Sequence, residues 1–327
     1  MKQFYTIALL FVIILGSINQ NVAQSLSTYG HADNEVFNFG ARYLISFQND
    51  TPQVIHKSIT TQNNGHPDAF AVYSDKHGNL KLYSNGCHIW NGNHQPLNTT
   101  SNVLPDSVCQ RFTVNDSMGN NTINTAVPMP GNPNLIYVFS VWRDPNNNKS
   151  PIYYSLVDLS FGLGQIIISG QRLIDIPVKS HLTTTKHTAG QDYWLVTREY
   201  SNNNYVAFRI RPGGNIDTVY SKNIGTMPSG AGYIHRIKLS PNGRILADRV
   251  NDDTVQLAQF DASTGKVSDT NIRYIIDYGY QLWPHDFAFS SDNSKLYVVH
   301  HDLHKRYCQY DLTTNSQSQL LSSRKLI

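Results

Sequence analysis

Charge is scarce in this chain. Only 15% of its 327 residues are Asp, Glu, Lys or Arg, the net charge is +3, and no run of Lys or Arg is long enough to follow a phosphate backbone. Nucleic acid is therefore not expected as a partner. Cysteine is scarce too, at 3, too few for a fold built on disulfides. The longest apolar run covers residues 7–15, short of the ~20 residues that a membrane helix needs, so no membrane span is expected. No Gly-rich phosphate loop opens a helix, and no Gly-x-Ser-x-Gly elbow presents a nucleophile. What the chain does have is Tyr, at 19, together with many Asn, Ser and Thr. These residues suit strands and turns better than helices.

Lys2, the apolar run, a polar stretch and the small Ala23 have the layout of a secretory leader. Residues 1–23 are expected to be removed near Ala23 or Gln24, residues 24–34 to form a polar spacer, and residues 35–327 to form one domain. No Cys directly follows the apolar run, so a lipid anchor is not expected. The mature chain is expected to be a soluble monomer, secreted or held at the cell surface, with the periplasm as the other destination. In such a compartment Cys87 and Cys109 could bridge, leaving Cys308 unpaired. Alternatively, all three could be separate small core residues.

The domain carries an internal repeat. Residues 235–243 are answered by residues 285–293, an offset of 50 that also relates Ser240 to Ser290, Leu246 to Leu296 and Asp261 to Asp311. Each unit reads as four short antiparallel strands with turns at Ser240-Pro241-Asn242-Gly243 and Ser263-Thr264-Gly265. That pattern is expected of a β-propeller blade, whose sheet is covered only when blades stack around a ring. Two earlier units lie around residues 122–159 and 182–214. Another covers residues 69–91, where Asn85-Gly86 is a strong hairpin signal. Short strands at residues 36–39, 43–47 and 54–59 precede them. The expected fold is thus all-β: a β-propeller of five full four-stranded blades plus a partial N-terminal blade. Its last outer strand is expected at residues 317–321, leaving the ring open to incomplete closure.

Residues 73–95, with Ser74-Asp75, Gly78-Asn79-Leu80, Asn85-Gly86 and Trp90-Asn91-Gly92-Asn93-His94, resemble the first blade of the N-terminal propeller in large exported Bacteroidetes proteins. Asn38-Phe39-Gly40 is similar to a Tyr-Phe-Gly near the start of those proteins. Lys186-His187 with Gly190, Asp192 and Trp194 matches another of their segments. The resemblance implies export of the type IX secretion, gliding-motility-associated kind. It also implies a parent architecture of about seven blades with a C-terminal sorting domain, beside which this chain looks truncated. It supplies no catalytic residues.

Three histidines are candidates for chemistry. His235 and His285 share one repeat position at the start of inner strands, and His181 lies near the matching place one blade earlier. Side chains at one height on neighbouring inner strands converge on the central channel, so these three could hold a divalent metal or act as a base. They could equally furnish a polar, hydrated channel mouth. A second group, His300, His301 and His304 with Asp302, reads as an exposed polar loop. Asp75-x-x-Gly78-Asn79 lacks the alternating acids of a calcium loop and reads as a turn. Arg198 and Glu199 could form a buried ion pair. Trp90, Trp142, Trp194 and Trp283 are expected to fill space between sheets. The expected function is that of a non-catalytic binding or structural module for an extracellular glycan or protein, without a cofactor. The alternative is an extracytoplasmic, metal-dependent, lactonase-like hydrolase.

Overall fold

A computed structural model of the chain describes residues 36–39, 43–46, 53–56, 71–97 apart from 76–77, Leu104, Cys109, residues 122–142, 150–178 apart from 175, 181–228 apart from 201, 236–276, 283–301 and 306–327. The expected leader and spacer, and His235, lie outside the described residues.

Among the described residues, six antiparallel sheets follow one another along the chain. Sheet 1 holds β1 (Val36–Phe39), β2 (Tyr43–Ser46) and β3 (Gln53–His56), and sheet 2 holds β4 (Ala71–Ser74), β5 (Leu80–Ser84) and β6 (Ile89–Asn91). Sheet 3 has four strands, β7 (Thr122–Met129), β8 (Asn132–Trp142), β9 (Ile152–Asp158) and β10 (Gln165–Ile174). Sheet 4 has β11 (Thr183–Lys186), β12 (Tyr193–Arg198), β13 (Tyr205–Ile210) and β14 (Ile216–Ser221). Sheet 5 has β15 (Ile237–Leu239), β16 (Ile245–Asn251), β17 (Thr254–Asp261) and β18 (Lys266–Ile276). Sheet 6 has β19 (Trp283–Phe289), β20 (Lys295–His301), β21 (Tyr307–Asp311) and β22 (Lys325–Leu326). These are the five expected repeats and the N-terminal partial one, with three of the four expected strands of sheet 2 among the described residues. In every sheet the strands are ordered as they occur in sequence, the meander of a propeller blade.

Packing identifies the ring. The two middle strands of a blade are apolar on both faces because each face meets a different neighbour. On β8, Ile136 and Val138 pack toward sheet 2, while Tyr137 and Phe139 pack toward sheet 4. On β12, Leu195 joins the core shared with sheet 3, and Trp194 and Val196 join the one shared with sheet 5. On β17, Ala258 and Phe260 face sheet 4, and Val255 and Leu257 face sheet 6. A strand alternates its side chains with period 2, so burial on both faces turns alternation into a continuous apolar run. The first strands lie inside, with β1 beside β4, β4 beside β7 and β11 beside β15, whereas the last strands β14 and β18 meet on the outside. The outer strand β10 is largely exposed, and the outer strand β14 is half-buried.

The repeated turns keep the same geometry. Ser240 Oγ accepts from the Ile245 N–H, and Ser290 Oγ accepts from the Lys295 N–H. Gly243 and Asn293 both take left-handed φ, +66° and +64°. Asn293 Oδ1 also accepts from the Asn242 N–H at 2.9 Å, which ties one turn to the next. Asp158, Asp261 and Asp311 each end a third strand, and their carboxylates accept from Ser160, Ser263 and Thr313. Asp75 accepts from the Asn79 N–H and closes the turn expected there.

Trp194 fills the joint between sheets 4 and 5. It is 1% exposed, stacks on His187, meets Phe260 edge-on and donates its indole N–H to the Ala262 carbonyl at 2.8 Å. Gly265 sits against its ring at φ +75°, and a Cβ there would come within 2.5 Å of the Trp194 ring. Gly265→Ala is expected to destabilise by ~1–3 kcal/mol through overpacking and backbone strain. Thermal unfolding reads this, and an unchanged midpoint would contradict the packing of this joint.

One expected strand is a helix. Residues 317–321 belong to α1 (Gln317–Ser322), with Ser316 as N-cap accepting from the Gln319 N–H and Leu320 buried. The Ser-x-x-Gln spacing favours a capped first turn over an extended strand. The outer strand of sheet 6 is instead the two-residue β22, paired with β21 through Cys308 and Gln309. Gln317 accepts from the Tyr274 N–H and donates to the Tyr274 carbonyl, at 2.8 and 2.6 Å. Its amide stands in for a further strand and covers part of the β18 edge. No helix among the described residues is long and apolar enough to cross a membrane.

Candidate functional site

The leading ends of the inner strands bring together a group that repeat symmetry only partly announced. His181 precedes β11, is 7% exposed, and has Nε2 2.6 Å from Arg236 Nη1. A guanidinium can only donate, so Nε2 accepts and the imidazole is neutral, with its proton on Nδ1. That contact occupies the Nε2 lone pair a metal would use and adds positive charge beside it. His285 lies on β19 at a register shift between the Pro284–His300 and Asp286–Val299 pairs. The expected three-histidine ring is therefore described only at His181, which faces an arginine.

Arg236 and Asp286 occupy equivalent places one repeat apart, and they meet. Arg236 Nε is 3.7 Å from Asp286 Oδ1, Lys238 Nζ is 3.1 Å from the same oxygen, and the Phe287 N–H donates to it at 2.8 Å. Burial would raise the Asp286 pKa, but the charges of Lys238 and Arg236 and the hydrogen bonds from Lys238 and Phe287 outweigh it and hold it below the ordinary carboxylate range. Asp286 is thus an ionised bridge between sheets 5 and 6.

Behind the mouth a buried polar layer joins sheets 4 and 5. Arg198 Nη1 lies 2.9 Å from Asp248 Oδ2, with the two side chains 2% and 4% exposed. The Tyr205 hydroxyl donates to the same oxygen at 2.7 Å and accepts from Gln256 Nε2 at 3.1 Å. Gln256 Oε1 accepts from the Thr226 N–H at 2.9 Å. Burial, and then the Asp248 charge, push the Tyr205 pKa well above its ordinary value, so it stays a neutral donor. Arg198 does not pair with Glu199, as the sequence suggested. Glu199 is taken up by Asn202 and Asn204, while Arg198 points into the joint and meets a carboxylate from the next sheet.

Other candidates fall elsewhere. His300 and His301 belong to β20 rather than to an exposed loop, and His300 is fully buried. His304 and Asp302 lie outside the described residues. Trp90 is buried, 5.3 Å from the Tyr83 ring. Cys87 and Cys109 form a disulfide with Cα atoms 5.6 Å apart, and Cys308 is free and buried. Among the described residues, no group of three or more His, Cys, Asp or Glu is placed to share a metal ion. A groove of about 790 Å³ runs between β14 and β18 on the outside. Its polar groups already bond across it, Lys266 to the Tyr220 carbonyl and the Val267 N–H to Ser221, so the mouth is the better candidate.

Sheet order and two-faced packing define a β-propeller. No family model matches the chain, and no characterised relative matches its sequence. Among solved structures it is similar to a functionally unknown protein from Desulfotomaculum acetoxidans, at 12% identity over 87% of this chain and 81% of that one, with a TM-score of 0.44. It is also similar to the Cps50 (Swd1) β-propeller domain of Myceliophteria thermophila, at 12% identity over 90% and 85% with a TM-score of 0.42. A third is the periplasmic gluconolactonase of Pseudomonas aeruginosa, at 14% identity over 91% and 70% with a TM-score of 0.40. Likenesses this distant assign no activity.

Proposed function

We propose that the chain is an exported, non-catalytic β-propeller that works as a binding module for an extracellular glycan or protein. The observation that carries this reading is the Arg236 guanidinium on His181 Nε2. A mouth built from His181, Arg236, Lys238 and Asp286 offers donors and a bridging carboxylate to a polar ligand, and the cation on the imidazole opposes a second, metallic cation. The leader-like layout of residues 1–23 and the Cys87–Cys109 bridge support export, because disulfides persist in oxidising compartments. The resemblance of residues 73–95 to exported Bacteroidetes propellers supports a cell-surface or secreted destination.

Purified mature chain should carry well under one metal ion per molecule by elemental analysis, before and after dialysis against zinc or calcium. Stoichiometric metal that disappears in His235→Ala/His285→Ala would replace this reading with the metal-dependent hydrolase. Mass spectrometry of native material should find the N-terminus close to Gln24, and an intact Met1 on the mature protein would remove export from the proposal.

A further inference from the structure

We propose that the groove between β14 and β18, on the outside of the ring, docks an extended acidic peptide segment of a partner protein, which adds a further strand to the edge of sheet 4. The site lies apart from the mouth and does not rest on what the mouth binds.

An outer strand presents unpaired backbone groups that invite another strand. The other outer edges are blunted. The register of β10 on β9 breaks at three places, β22 is two residues long, and Gln317 covers the Tyr274 edge of β18. By contrast, β14 pairs with β13 over six residues without a break, and no strand pairs with its other side among the described residues. The Arg211 N–H donates to the Asn215 carbonyl at 2.8 Å where this hairpin closes. Hydrogen-bonded pairs alternate along an antiparallel ladder, so Asp217, Val219 and Ser221 bond to β13 while Ile216, Thr218 and Tyr220 turn their N–H and C=O groups outward. Lys266 Nζ meets the Tyr220 carbonyl at 2.6 Å from that side. Ile216 and Thr218 remain open to a partner.

The groove beside this edge has a volume of about 790 Å³ and is lined by Val219 and Ser221 of β14, Val267 of β18, and the charged Lys222, Lys266 and Asp269. The Val267 N–H donates to Ser221 Oγ at 2.9 Å, which fixes the floor in place. Its charges stay unanswered. Lys266 spends one of its three ammonium donors on Tyr220, and neither lysine is in an ion pair among the described residues. Asp269 is the one carboxylate on the lining, so the balance is positive and favours an acidic partner. Ile216 and Tyr220 pack toward sheet 3, whereas Val219 packs toward sheet 5. Residues directly opposite one another in a ladder share a face, so a strand laid on Ile216 and Thr218 sends every second side chain over the groove, where acids meet Lys222 and Lys266. A sugar has no periodic row of N–H and C=O groups to match this edge.

The probe is a fluorescein-labelled peptide of about six residues, the length of a typical strand, alternating Glu with Val. Titrated with the mature chain and read by anisotropy, it should saturate below about 1 mM and bind more weakly as salt is added. The same peptide N-methylated at its Val residues, whose N–H groups face β14 when Glu lies over the groove, should bind at least about tenfold more weakly, and so should a Lys-Val peptide. Thr218→Pro removes an outward N–H without taking a bond from β13, a place where an edge strand accepts Pro, and should weaken the acidic peptide at least about tenfold. Lys222→Glu, an exposed change, should weaken it at least about fivefold, and Asp269→Asn should tighten it about twofold. Should Thr218→Pro fail to fold, the N-methylated peptide and Lys222→Glu decide. No acidic-peptide binding at about 1 mM, or equal binding of the Lys-Val peptide, overturns the proposal. Saturable binding of oligogalacturonate that Thr218→Pro leaves unchanged, without peptide binding, overturns it in favour of an acidic sugar.

Discussion

Asp248→Ala should cost ~3–5 kcal/mol, the penalty for removing one partner of a buried ion pair. Asp248 is 3% exposed and gathers Arg198 at 2.9 Å and the Tyr205 hydroxyl at 2.7 Å on one oxygen. Without it, a guanidinium that cannot deprotonate is stranded between two sheets, and the Tyr205 hydroxyl loses its acceptor. Folded domains have only ~5–15 kcal/mol in hand, so this single change would remove a large part of the total. The urea midpoint should fall sharply with the slope of the transition unchanged. A double variant, Arg198→Met with Asp248→Leu, should recover much of the loss, because two apolar side chains avoid burying charge at all. The cycle therefore separates a stranded charge from a mere lost contact. A cost below ~1 kcal/mol for Asp248→Ala would mean that the pair behaves as a screened surface bridge, and the buried layer would have to be abandoned.

Removing the disulfide, by Cys87→Ala/Cys109→Ala or by reduction, should lower stability by about 3 kcal/mol. The bridge closes a loop between positions 22 apart in sequence, and the chain-entropy estimate for a loop of that size is ~3 kcal/mol. It ties Cys109 to the turn at Asn85-Gly86, where the Leu104 N–H donates to the Gly86 carbonyl and Leu104 is fully buried. Cys87, Leu104 and Cys109 form a small apolar cluster with Tyr153 of sheet 3 against it. The bridge therefore also links sheets 2 and 3 through this cluster. Equilibrium unfolding with and without a reductant measures the effect. Transitions coinciding within ~0.5 kcal/mol would show that this cluster is held by packing alone.

The periodicity of 50 residues, the Ser-Asn-Gly and Asp-Ser-Thr turns and the apolar runs of the middle strands were readable in the chain itself, because they are local. A turn needs its left-handed residue, and a strand buried on both faces needs apolar residues at every position. Trp194 could be placed between sheets for the same reason. The helix at Gln317–Ser322 was readable in principle from Ser316 and Gln319, but the pair of leucines after it resembles a short strand.

Partners across the ring could not be read this way. Arg198 has Glu199 beside it in sequence, yet meets Asp248, because successive residues of a strand face opposite neighbours and only the stacking of sheets decides which blade each one touches. The repeat aligned His235 with His285 and drew attention to the imidazoles, while the next position along, Arg236 and Asp286, holds opposite charges that meet across the boundary between sheets 5 and 6. The sequence by itself determined the repeat, the turns and the two-faced strands, all set by backbone preference and burial. Only the tertiary structure decided which charged groups share the joint between sheets, since Coulomb energy depends on distances that close when the blades stack around the ring.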